Sequence, residues 1–207
     1  IIMDMVVMMA DGSIANIEIQ KISYDFPAER ISCYSADLVL RQYKMITGKN
    51  QEIKHEASMH GSSKPSYKDM RKVHTIILFE DSNKSLISDM DKALYFHVGK
   101  TRFNTGVKIE LLQDFVLVSL DTFRKYRYSD IREGRTEITD YDYDSSQYND
   151  ELVSEKMKRD RLKFLSLFVA ETPQEIDRLI EIFPDLESVR QDINEYLERP
   201  GEVLSMF

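Results

Sequence analysis

Asp4-Met5-Val6-Val7-Met8-Met9-Ala10-Asp11-Gly12-Ser13-Ile14-Ala15-Asn16-Ile17-Glu18-Ile19-Gln20 opens the chain and sets its fold. Two short apolar runs flank an Asp-Gly turn signal, which predicts a β-hairpin. If Ala10-Asp11-Gly12 is a three-residue loop with Gly12 in the left-handed region, Met9 pairs with Ser13. Counting outward, Asp4 then stands opposite Glu18. Alternation along the strand puts Gln20 on the face of Glu18. A two-residue loop would instead place Asp4 and Glu18 on opposite faces.

Acidic residues on otherwise apolar strands are costly without compensation, and facing carboxylates repel. A hard divalent cation such as Mg2+ relieves the repulsion, because it binds oxygen ligands and keeps several waters. Such an ion polarises a phosphoryl oxygen and generates hydroxide. The alternative is that both acids are solvent-facing residues of an edge hairpin.

The arrangement resembles the core of the PD-(D/E)XK nucleases, in which an Asp opening one strand is followed across a hairpin by Glu-x-Lys or Glu-x-Gln. Asp4 matches the first acid, and Glu18-Ile19-Gln20 matches the second acid, spacer and third residue. The longer context, Asp11 to Lys21 followed by Phe26-Pro27-Ala28-Glu29-Arg30-Ile31-Ser32-Cys33-Tyr34-Ser35-Ala36-Asp37, is similar to bacterial PD-(D/E)XK nuclease family transposases, relatives of the recombination-promoting nucleases. Val73-His74-Thr75-Ile76-Ile77-Leu78-Phe79-Glu80 and Thr105 to Phe115 are similar to the same group, so the resemblance covers roughly residues 1–125. It implies an α/β, restriction-endonuclease-like core with a mixed central sheet flanked by helices, and hydrolysis of DNA phosphodiester bonds with Mg2+, Mn2+ being a substitute. Asp4 and Glu18 would hold the metal, the backbone carbonyl of Ile19 would add a ligand, and Gln20 would position the attacking water. Arg30 and Lys21 are the implied DNA contacts. Gln20 stands where much of the wider superfamily carries Lys. The wider fold also has a helix before this strand, and the chain begins at Ile1, three residues ahead of Asp4, so it reads as an N-terminally truncated form.

Charge is unevenly spread. Residues 1–128 hold 18 basic and 16 acidic residues, residues 129–155 hold 2 and 9, and residues 156–207 hold 8 and 11, for a net −8. The candidate nuclease half is mildly basic, which permits phosphate contacts despite the acidic total. Residues 1–128 are read as the nuclease-like domain, 129–155 as an acidic flexible segment poor in aliphatic residues, and 156–207 as a helical C-terminal region. Cys33 is the sole cysteine, allows no intramolecular disulfide and is read as a buried helix residue. No apolar run approaches the roughly 20 residues that cross a bilayer. Together these features predict a cytoplasmic protein without a membrane partner, and DNA is the partner that the resemblance implies.

Past the hairpin, Ile31, Tyr34 and Leu38 recur at helical spacing, giving a core-facing stripe through about Met45. Arg30 lies one turn before Tyr34, within reach of either the carboxylates or a phosphate. Gly48 to Lys68 is polar and reads as a flexible loop, in which His55 and His60 are solvated. Val73–Phe79 reads as a central strand, followed by strands near Leu94–Phe103, Val107–Leu112 and Phe115–Leu120. Further on, Leu162, Leu165 and Val169 form a helical stripe. Thr172-Pro173-Gln174-Glu175 is a helix start, with Thr172 as cap and Glu175 reaching back. Pro184 and Asp185 open a last helix. These helices either pack on the sheet or mediate self-association into a homo-oligomer. A catalytically inactive DNA-binding or assembly module that keeps the nuclease fold is the competing reading of the whole.

Overall fold

The computed structural model describes residues 3–22, 28–56, 66–82, 86, 95–99, 101, 103–134 and 151–198. The chain divides into two compact units, residues 1–121 and 122–207.

The first unit is α/β. Strands β1 (Met3–Met8), β2 (Ile14–Ile22), β3 (Val73–Asp81), β4 (Phe96–Gly99) and β5 (Gln113–Ser119) form one mixed sheet in the order β1-β2-β3-β5-β4. The loop between β1 and β2 has three residues, with Met8 paired to Ile14 and the Met9 amide donating to the Ser13 carbonyl at 2.8 Å. Gly12 takes φ 84°, the left-handed conformation this turn demands. Asp11 Oδ1 accepts from the Ser13 hydroxyl at 2.6 Å and its amide at 2.9 Å, and these bonds hold the Asp11 carboxyl below its ordinary pKa.

β2 and β3 are parallel, as are β3 and β5. Parallel neighbours require a crossover, and helix α1 (Ala28–Glu56) lies in the connection between β2 and β3. It covers the face carrying Ile14 and Val73, where Leu38 joins them in the core. Gln42, one turn beyond Leu38, donates to the Gly12 carbonyl at 3.3 Å and accepts from the Arg71 amide at 2.8 Å. Helix, turn and β3 entry are thereby tied together. Ser35 accepts from the Gln113 amide group at 3.0 Å, linking the same helix to β5.

Three readings of this unit need correction. The polar stretch read as a loop from Gly48 continues α1 as far as Glu56, so His55 is helical; His60 lies outside the described residues. Its residues Lys49 to Glu56 include no proline or glycine, and a polar helix needs no core contact to extend a helix already nucleated. Val107–Leu112 is not a strand: Val107, Ile109 and Leu111 are exposed, and β5 begins at Gln113. A strand needs a ladder partner, and the free edge of β3 is taken by β5 itself. Cys33 is exposed, because the inward positions of α1 are Ser35, Leu38 and Gln42.

The second unit is helical. Short helix α2 (Leu120–Phe123) follows β5 and spans the division at residue 121, and α3 (Tyr128–Glu133) precedes α4 (Glu151–Val169), α5 (Pro173–Ile182) and α6 (Glu187–Glu198). Leu162 and Leu165 of α4 are buried, as are Leu179, Phe183 and Leu186. Thr172 caps α5 through the Glu175 amide while Glu175 reaches back to the Thr172 amide at 3.2 Å, the capping box expected from the sequence. Helices α3 and α4 occupy the two ends of the range read as an acidic segment, and residues 135–150 lie outside the described residues. Among the described residues no helix is long and apolar enough to cross a membrane.

Candidate functional site

The hairpin register pairs Asp4 with Glu18 directly across β1 and β2. Directly opposed residues share a face, so the three-residue loop puts Asp4, Glu18 and Gln20 on one side of the sheet. On β2 and β3 that side is the one α1 packs against, through Leu38 on Ile14 and Val73. The opposite face takes Ile19 and Lys21 by alternation, and Lys21 is exposed there. Lys21 is therefore not brought to the carboxylates. Ile19 offers the site only its backbone.

Glu18 is fully buried, and its neighbour on the same face, Gln20, is also buried. The Gln20 amide group donates to Glu18 Oε1. Arg30, in the first turns of α1, reaches the same oxygen with its guanidinium at 2.9 Å. Tyr34, one turn further along α1, fixes that arginine twice: its hydroxyl accepts from Arg30 Nε at 3.0 Å, and its ring lies 5.1 Å beneath the guanidinium. The counter-charge that a buried carboxylate needs is thus supplied within the chain. Of the places open to Arg30 on sequence grounds, the carboxylates, a DNA phosphate or the plain surface, the carboxylate is the one it occupies. Tyr34, half-buried, belongs to the site as well as to the helix's inner stripe.

The donor set suits a hard cation in type. Glu18 and its register partner Asp4 are carboxylates, and Gln20 has an amide oxygen not engaged in the bond its nitrogen makes. Glu18 Oε1 already accepts from two donors, so an ion at that oxygen takes the place of one of them. Among the described residues no group of three or more His, Cys, Asp and Glu side chains converges with metal-site geometry.

Other polar groups share this face. Thr75 and Ser119 are fully buried, at register positions opposite Asn16 and Phe79. Sequence reading missed Gln42 and Ser35 as the polar contacts of α1, although both sit one turn from Leu38 on its inner side, and that spacing was available. His97 on β4 is half-buried and holds its imidazole below the ordinary pKa because burial disfavours the charged form. On the other face, His74 Nδ1 stands 3.7 Å from Asp114, which also pairs with Lys72 at 3.2 Å.

Comparison with protein-family models, curated proteins and solved structures gives no match to this chain.

Proposed function

We propose that the chain is a metal-dependent DNA endonuclease-like protein of the PD-(D/E)XK transposase type, with a restriction-endonuclease-like core, hydrolysing phosphodiester bonds with Mg2+ or Mn2+. The observation that carries the reading is the hairpin register: it sets Asp4 opposite Glu18 and aligns Gln20 with them, beneath a helix that brings an arginine to the same spot. Asp4 and Glu18 hold the ion, with the carbonyl of Ile19 as a further ligand. The bound ion supplies Lewis acidity and a lowered water pKa. Gln20, whose amide both donates and accepts, orients the attacking water. Arg30 contacts a DNA phosphate once it leaves Glu18, Lys21 meets DNA only away from the carboxylates, on the other face of the sheet, and the second unit serves self-association.

The competing reading is a binding or assembly module without turnover. The Arg30–Glu18 ion pair favours it, because it stabilises the buried carboxylate without any metal.

Plasmid nicking separates the two. Cleavage with Mg2+ and none with EDTA is expected, abolished by Asp4→Ala and by Glu18→Ala. Gln20→Ala should impair cutting less, since the ion stays bound. Cleavage surviving in the double Asp4→Ala, Glu18→Ala variant places the active site elsewhere. Absence of both cleavage and metal binding leaves the non-enzymatic module.

A further inference from the structure

Arg30 and Glu18 differ sharply in access to water: the Glu18 side chain is 0% exposed and the Arg30 side chain 28%. The arginine is therefore the solvent-side member of the pair, and it holds Oε1, one of the two carboxylate oxygens open to a divalent ion. A guanidinium and a hard cation compete for the same lone pairs, since both bind carboxylate oxygen electrostatically and neither tolerates the other's charge within contact distance. Arg30 also has a second anchor. Its bond to the Tyr34 hydroxyl at 3.0 Å and its place over the Tyr34 ring involve Nε and the guanidinium face, whereas Glu18 is met by a terminal nitrogen. Letting go of Glu18 does not require letting go of Tyr34.

We infer that Arg30 is a latch on the metal site: it is the resident counter-ion of Glu18 in the metal-free protein, and a divalent cation binds by displacing it onto Tyr34. The inference rests on the metal-site reading above and adds a regulating residue to it. The displaced guanidinium stays with Tyr34, out of contact with the ion. Arg30 is a positioning residue in this scheme, acting through Glu18.

The test is calorimetric titration of Mn2+ into the 207-residue chain at low salt, in the absence of DNA, for the wild type, Arg30→Met, Arg30→Lys and Glu18→Ala. Removing the competing charge should tighten Mn2+ binding about tenfold or more in Arg30→Met, equivalent to about 1.4 kcal/mol. Lysine keeps the charge but lacks the planar fork that grips Tyr34 and Glu18 together, so Arg30→Lys should tighten binding about threefold. Glu18→Ala should bind no Mn2+. If Arg30→Met fails to fold, the Arg30→Lys comparison decides. Affinity equal to or weaker than wild type in the folded Arg30 variants, with binding still dependent on Glu18, overturns the latch and leaves the metal site standing. No Glu18-dependent binding in any variant overturns the metal site and the latch with it.

Discussion

A carboxylate inside an apolar sheet costs several kcal/mol unless a charge or strong donors accompany it. Glu18 meets that demand with Arg30 and Gln20, and the two sides of the ion pair are unequal. Arg30→Ala strands a fully buried carboxylate and should lower stability by about 3 kcal/mol in urea unfolding. Glu18→Gln removes the charge, keeps the shape and leaves an arginine with access to water. It should cost about 1 kcal/mol. Equal losses would mean that the pair adds nothing beyond side-chain packing. The sequence showed that Glu18 needed compensation, and it showed Arg30 within range. It did not decide between an ion and an arginine, because that depends on where α1 starts relative to the end of β2.

Short-range chemistry was readable in the sequence wherever a few adjacent residues decide the outcome. Asp11-Gly12 marked the turn while leaving its length of two or three residues open, and Gly12→Ala should cost about 1–2 kcal/mol, since an alanine is strained at φ 84°. Thr172-Pro173-Glu175 fixed the start of α5. Thr172→Ala should destabilise the helical unit by about 1 kcal/mol, read as a lower thermal midpoint. Long-range choices were not readable. Val107–Leu112 has strand composition, but whether it pairs depends on which segment claims the edge of β3, and β5 does. The reach of α1 to Glu56 was misread for a local reason: one glycine at position 48 does not stop a helix already nucleated. His97 on β4 gives this scale a pH test. Burial depresses its pKa below the ordinary value of about 6.5, so the unfolded chain binds more protons between the two values. The contribution is fully present above about pH 6.5 and is lost as pH falls through the lower folded-state pKa. His97→Gln should flatten the fall in stability between pH 7 and 5 relative to wild type, measured by urea unfolding at each pH. An unchanged slope would show that His97 titrates alike in both states.

Across the whole molecule, the acidic total and the proposed DNA partner pull in opposite directions. Net charge is −8, yet residues 1–128 carry two more basic than acidic residues. Residues 135–150 hold five acidic residues against the single basic Arg135, so removing them brings the chain halfway to neutrality. Phosphate contacts act locally through Lys and Arg, whereas repulsion from net negative charge acts through solvent and is screened within a Debye length of about 10 Å at 0.1 M salt. The two effects separate by ionic strength. In fluorescence anisotropy with duplex DNA at about 20 mM salt, deletion of 135–150 should tighten binding several-fold. Near 0.2 M salt the deleted and intact chains should converge, and binding of both should fall steeply as counterion release loses its drive. A difference that persists at high salt would mean that 135–150 competes for the DNA site directly and does not act through net charge alone.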